Sequence, residues 1–326
     1  YLERRGINQN IIKEYHLGYV PWQNNFYEKI KAKFSEEEIS LTGLYYKNEK
    51  TQKFIDRFNS RIIFPINNLT GETIAFGGRI IKESSFAKYI NSPETEFYKK
   101  GRVVFNLDKA KALRSEVKEV VIVEGYMDVV SLFAAGIKNV ISNSGTALTE
   151  TQIELVWKFF SNPIICLDGD QSGQNAALRI AEKLLVSINE NNKIYFSILP
   201  QGEDPDDFVK KNGKEKFVDF LKSKKIIQSY IWDTYLSDVN TRNPFEISKF
   251  EKKMKSICYG IKDEVLKKYI LEDFLEKLKN LTPIQNIKKS FIPYAKRNFK
   301  ILNQTKQLYQ EKNHFSKAEI KERSIL

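Results

Sequence analysis

Two cysteines and two histidines in 326 residues leave the chain short of the usual covalent and metal staples. Cys166 falls inside an apolar, strand-like run and Cys258 inside a helical pattern, with only His16 and His314 to accompany them. A local Cys/His zinc module is excluded, zinc is not expected, and a disulfide framework is not expected either. No stretch approaches the roughly 20 apolar residues of a membrane-spanning helix, and no basic-then-apolar leader suggests export, so a cytoplasmic location is the expectation. A Walker A phosphate loop is absent too. The chain begins with Tyr1 in place of Met, from which a piece of a longer protein is expected.

What is present suffices for a folded protein: 41% hydrophobic and 13% aromatic residues, in a length that suits two domains of roughly 150 residues. The net charge of +12 is unevenly spread. Lys and Arg outnumber Asp and Glu by 21 to 14 over residues 1–118, 16 to 11 over 211–285 and 10 to 3 over 286–326, but fall short by 6 to 13 over 119–210. An acidic centre between basic flanks suits a polyanion held by side-chain cations at its sides and by divalent metal in the middle. Ordinary surface charge with a basic linker explains the same numbers equally well.

Along the chain, Ile7, Ile11, Ile12 and Tyr15 are spaced for one helix face. Residues 61–66 and 73–79 read as two strands joined by the turn-forming run Asn67-Asn68-Leu69-Thr70-Gly71, so this part is expected to be antiparallel or mixed. Residues 87–102 look loop-like, too polar for a core and rich in side chains that bind phosphate. From Val120 the rhythm becomes strand and helix in turn. Strands are expected at 120–123, 140–142, 164–167 and 194–199, with helices at 127–135, 150–160 and 175–188 between them, which predicts a parallel sheet with right-handed crossovers. Residues 208–282 read as helical throughout, with Ile257, Ile261, Val265, Tyr269, Leu271, Phe274, Leu275 and Leu278 as a core-facing stripe. Beyond Pro283 a basic linker is expected.

Three acid clusters follow strands of that parallel sheet. Glu124 and Asp128 follow the first, Asp168 and Asp170 the third, and Asp204 and Asp206 the fourth. Ligands of open parallel sheets bind at the carboxyl ends of the strands, so the clusters are expected to meet over one site. Six carboxylates there repel one another and call for cations, and an all-oxygen donor set without His or Cys selects Mg²⁺ or Mn²⁺, in more than one copy. A carboxylate-held metal pair serves in-line displacement at phosphorus. Taken singly each acid is weak, since a carboxylate at a strand end is more often a turn residue or a helix cap. The run from Asp168 to Gly173 also resembles an EF-hand loop, but Arg179 stands where the bidentate Glu is needed. A phosphatase-type nucleophilic Asp fits the same run, except that such a motif normally ends a domain's first strand.

Taken together, the run 123–130, the Gly145-Thr146 loop, the run 167–173 and Gly202-Glu203-Asp204-Pro205-Asp206 resemble the Toprim domain of the bacterial DnaG-type primases. Upstream, Tyr1 to Gly6, Asp56-Arg57-Phe58, residues 61–66, Phe76-Gly77-Gly78-Arg79 and the run from Lys88 to Thr95 resemble the N-terminal subdomain of that family in the same order. The resemblance covers roughly residues 1–215 with specific motifs. It implies an α/β (overall α+β) chain: a basic N-terminal α+β subdomain over 1–118, a Toprim catalytic domain with a parallel sheet flanked by helices over 119–210, a helical subdomain over 211–285 and a basic linker over 286–326. It further implies a DNA-dependent RNA polymerase that makes short primers on single-stranded DNA from ribonucleoside triphosphates. Glu124, Asp168 and Asp170 would be the central catalytic acids, completed as metal ligands by Asp128, Asp204 and Asp206. Arg57, Arg61, Arg79, Lys88, Asn91 and Lys100 would line the groove for template and nucleotide, with Arg5 a less certain member. A monomer is expected, with contact to the replicative helicase through a domain this chain does not reach. The alternative on the same fold is a nuclease or topoisomerase, which cleaves phosphodiesters instead of forming them.

Overall fold

The structure, a computed structural model, describes residues 1–281 apart from Gln23, residues 82–86 and Thr146. The expected linker over 286–326 lies outside the described residues, as does Thr146 of the Gly145-Thr146 loop. The N-terminal part opens with a short 3-10 turn, Glu3–Arg5, and helix α1 (Gln9–Glu14). Asn8 starts α1 by accepting the backbone N–H groups of Asn10 and Ile11. Strand β1 (Gly18–Val20), helices α2 (Phe26–Lys31) and α3 (Glu36–Leu41), and the hairpin β2 (Tyr45–Lys47) and β3 (Phe54–Asp56) come next. The two expected long strands follow as β4 (Arg61–Asn67) and β5 (Thr73–Ile80), antiparallel, their turn held by the Asn68 side chain accepting from the N–H of Thr70 and of Glu72.

β6 (Tyr89–Asn91) completes a four-stranded antiparallel sheet ordered β1-β4-β5-β6. Residues 87–102 are therefore not simply a polar loop. Besides β6 they bury Tyr98, and they bury Ser92, whose hydroxyl accepts from the Phe76 N–H. Three residues paired through backbone hydrogen bonds leave no periodic signal for a sequence to display.

After helix α4 (Leu107–Ala110) the alternation begins: β7 (Glu119–Val123), α5 (Tyr126–Ala134), β8 (Val140–Ser142), α6 (Glu150–Trp157), β9 (Asn162–Leu167), α7 (Gln171–Leu185), β10 (Tyr195–Ile198) and α8 (Pro205–Lys222), broken at Gly213. The sheet order is β11-β10-β9-β7-β8, where β11 (Lys225–Ile226) is a two-residue antiparallel edge and the other four strands are parallel. Both faces are covered, and side chains of period 2 split between them. Val120, Ile122, Ile165 and Leu167 join the core under α6 and α7; Val121, Val123, Ile164 and Cys166 join the core that reaches α5, α8 and the N-terminal sheet.

Helices α9 (Ile227–Leu236), α10 (Pro244–Tyr259) and α11 (Glu264–Leu281) follow the edge strand and extend the first of those cores through Trp232, Phe250 and Phe274. The expected stripe holds only in part: Ile261, Phe274 and Leu278 are buried, but Val265 and Tyr269 are exposed. The spacing that linked them to Ile257 crosses the break between α10 and α11. Within α11 the buried line is Ile270, Phe274 and Leu278, and at about 100° per residue Val265 and Tyr269 lie well off it. Residues 1–281 form one unit.

Candidate active site

β7 is the first strand of the parallel sheet and has β8 on one side and β9 on the other, so the chain reverses direction around it. The crevice beyond the carboxyl ends of β7 and β9 is the topological switch point, where an open α/β sheet takes its ligand. Ile122 pairs with Ile165, and Leu167 pairs with Ile198, which brings the ends of β7, β9 and β10 to one edge. Glu124, Asp168 and the loop that reaches Asp204 all leave the sheet there. The three clusters separated in sequence thus meet, as their places after strands predict.

Each cluster is built around a helix start. Asp128 accepts the Gly125 N–H at 3.0 Å, Asp170 accepts the Gly173 N–H at 2.6 Å, and Asp204 accepts the Asp207 N–H at 2.7 Å. The capping reading and the functional reading of these acids therefore coexist. One carboxylate oxygen satisfies a helix N-terminus and the other is left for the site. Gly169 is the joint between two clusters: its N–H donates to the Glu203 carbonyl at 3.2 Å, and a Cβ at this position would overlap the carbonyl oxygens of Pro200 and Leu199. Only glycine lets the 200–204 loop lie this close to the end of β9.

The electrostatics follow from the crowding. Burial, then the charges of Glu124, Asp204, Asp170 and Asp207, push the Asp168 carboxyl up to about 7. Burial and Asp170 raise Glu124, and burial followed by Asp204 and Asp168 raises Asp128 well above the ordinary aspartate range. Asp206 is wholly buried and differs from the rest. It is ion-paired with Arg5 and, at 2.6 Å, with Lys210, both through Oδ2, while its Oδ1 is buried with no hydrogen-bond partner. One oxygen each of Asp204, Asp206 and Asp207 lie within 4.8 Å of one another. An orphaned buried oxygen inside a hard, all-carboxylate donor set fits a divalent cation. Asp207 was not among the acids singled out in sequence.

The N-terminal residues divide. Asn91 links the two halves of the unit, donating to the Ser144 carbonyl at 3.0 Å and accepting the Tyr126 hydroxyl at 2.7 Å. The Tyr126 ring stacks on Phe64 and lies where a side chain on Gly77 would be, which accounts for the glycine in Phe76-Gly77-Gly78-Arg79. Arg79 is buried between the rings of Tyr1 and Tyr89, and Lys88 is exposed. The guanidinium of Arg61 is buried and donates to the carbonyls of Ala87 and Lys88, and that of Arg57 donates to Gly43. Lys100 contributes its carbonyl to Gln152 of α6. Sequence reasoning had no means of finding the pairing of Arg5 with Asp206, 201 positions apart. The spacing of Asp206 and Lys210, four apart on a helix, was a readable signal.

Two family models match the chain: the N-terminal domain of the DNA primase catalytic core over residues 1–111, and a Toprim-like domain over residues 121–209. A DNA primase of Legionella pneumophila is 34% identical over 288 residues, which are 88% of this chain and 49% of the relative. A DNA primase domain of Pseudomonas aeruginosa superposes with a TM-score of 0.80 at 29% identity, covering 86% of this chain and 87% of that structure. A DnaG primase catalytic domain bound to single-stranded DNA superposes with a TM-score of 0.76 at 30% identity, covering 86% and 89%. The chain spans about half the length of the Legionella relative.

Proposed function

Since the chain belongs to the DnaG-type DNA primase family, a family that generally uses divalent metal, we propose that it is the polymerising part of such an enzyme. It would extend a nucleotide along a single-stranded DNA template from ribonucleoside triphosphates, within the cytoplasm and as a monomer. The observation that carries this reading is the convergence of carboxylates from three strand ends on one switch-point crevice, tied to the N-terminal part through Asn91 and Arg5. The 3′-hydroxyl oxygen of one nucleotide bonds to the α-phosphorus of the next, the α–β phosphoanhydride bond breaks, pyrophosphate leaves with the electron pair, and the hydroxyl proton passes to water.

Glu124, Asp128, Asp168, Asp170, Asp204 and Asp206 would hold Mg²⁺ or Mn²⁺, in more than one copy. When bound, the ions supply positive charge to the phosphate oxygens and the attacking oxygen. The chain's own part is to hold that geometry. The helix caps fix Asp128, Asp170 and Asp204, and Gly169 keeps two acid loops in register. Lys88, Lys100, Arg57 and Arg79 would steer template and triphosphate by charge, and Arg61 and Asn91, whose polar groups are engaged within the fold, would hold the surface that presents them. The segments 1–118, 119–210, 211–285 and 286–326 would serve as separate functional parts, and the replicative helicase would be a further partner. The matches reported above are primases, which favours strand synthesis over the cleavage alternative.

A priming assay on single-stranded DNA with Mg²⁺ or Mn²⁺ and all four ribonucleotides tests the reading. Asp168→Asn and Glu124→Gln should each lower primer synthesis by a factor on the order of 100 or more with the circular dichroism spectrum unchanged, the scale of a lost metal-site or transition-state contact. Full activity in either variant would sink the assignment of the acids.

A further inference from the structure

Beside the acid cluster, on the face of the sheet covered by α6 and α7, lies a cleft of about 390 Å³. Glu124 lines it, as do the apolar Leu148, Ala176 and Ile180 and the cations Arg179 and Lys183 of α7. Because α7 starts from its cap Asp170, beside the acids, Arg179 and Lys183 lie away from that edge. The α7 residues are three or four apart and share one helix face. At 1.5 Å rise per residue, Arg179 stands about 10 Å along the helix from its first turn, and Lys183 about 16 Å. Both cations are exposed, and neither has an ion-pair partner among the described residues, although α7 offers Glu182, which is paired with Lys253 on another face.

The cleft therefore has three chemical parts: carboxylate, apolar surface, unpaired cations. Its volume falls at the low end of small-ligand sites and suits a single nucleoside unit, not a duplex. Resting on the polymerase reading above, we infer that this cleft seats the initiating nucleotide, with its 3′-hydroxyl toward Glu124, its ribose and base over Leu148, Ala176 and Ile180, and its 5′-triphosphate toward Arg179 and Lys183. This orientation follows from the exposed cations. Arg179 and Lys183 draw the 5′-triphosphate to their part of the cleft, which leaves the 3′-oxygen as the group presented toward Glu124. The nucleotide that donates its α-phosphate then occupies the other side of the acid cluster.

The prediction is a coupling between the charge of the initiator's 5′ end and the charge of α7. Dinucleotide synthesis is measured on a template whose first two positions call for different nucleotides. The first position is filled either by the ribonucleoside 5′-triphosphate or by the same ribonucleoside with a 5′-hydroxyl. The unaltered chain should show a lower KM for the triphosphate initiator. The double variant Arg179→Glu, Lys183→Glu should erase at least tenfold of that preference, and Arg179→Lys should retain most of it. An equal preference in the unaltered chain and the double variant would overturn the seat. So would an unaltered chain that extends a pre-annealed primer yet does not prefer the triphosphate initiator. Failure of the unaltered chain to extend even a pre-annealed primer would instead overturn the polymerase reading, and the seat with it.

Discussion

Asp168 is half-buried among Glu124, Asp204, Asp170 and Asp207, and its pH behaviour can be worked out. Its carboxyl rises on folding from the ordinary aspartate value to about 7 because the folded chain buries it among other acids. Between about 4 and 7 the folded chain therefore holds a proton that the unfolded chain releases. Stability then falls as pH rises through that window. In metal-free protein Asp168→Asn should flatten this part of the stability curve, measured by urea unfolding at several pH values. A slope identical to that of the unaltered chain would remove Asp168 as its source. Saturating Mg²⁺ should reverse the trend, because a bound cation favours the ionised carboxylate.

At the scale of elements, the first turn of the chain is tied to the start of α8. Arg5 lies in the Glu3–Arg5 turn, Asp206 in the first turn of α8, and Lys210 one turn further along. Two cations offset one wholly buried carboxylate, and removing one of them leaves it under-neutralised. Arg5→Ala should cost on the order of 2–3 kcal/mol, below the usual loss for a fully broken buried pair because Lys210 remains. Chemical denaturation measures this, and a loss under about 0.5 kcal/mol, as for an exposed pair, would show that Asp206 is neutralised in some other way. The same scale explains the legibility of the elements. β4, β5, β7, β9 and β10 have strand-like runs of four or more residues and sit where those runs predict, and the three-residue β8 is placed only by the strand–helix alternation around it. β2, β3, β6 and β11 have two or three residues each, too short for any period to register. In the C-terminal helices the stripe was real on each helix, but the helix break near Gly260 reset its phase.

For the whole molecule, an acidic crevice lies between basic segments in a chain of net charge +12. Single-stranded DNA binding should accordingly weaken with salt in proportion to the phosphates neutralised. Lys88 is exposed, and Lys88→Ala should lower the slope of log K against log salt by about 0.7, the increment for one contact to a single strand. Fluorescence anisotropy across a salt series gives the slope. An unchanged value would place Lys88 away from the phosphates.

The residue types by themselves determined the parallel architecture, because apolar runs separated by amphipathic ones can be buried only as covered strands. They also determined that carboxylates would gather at one sheet edge, since each cluster directly follows a strand. Only the tertiary structure decided the use of each acid. Contacts between distant segments set whether a carboxylate meets a cation, as Asp206 meets Arg5 across 201 positions, or like charges, as Asp168 meets Glu124 and Asp204. Local spacing carries helix caps and strand periods. Desolvation and through-space charge depend on which distant segments pack together, and that information lies in the fold.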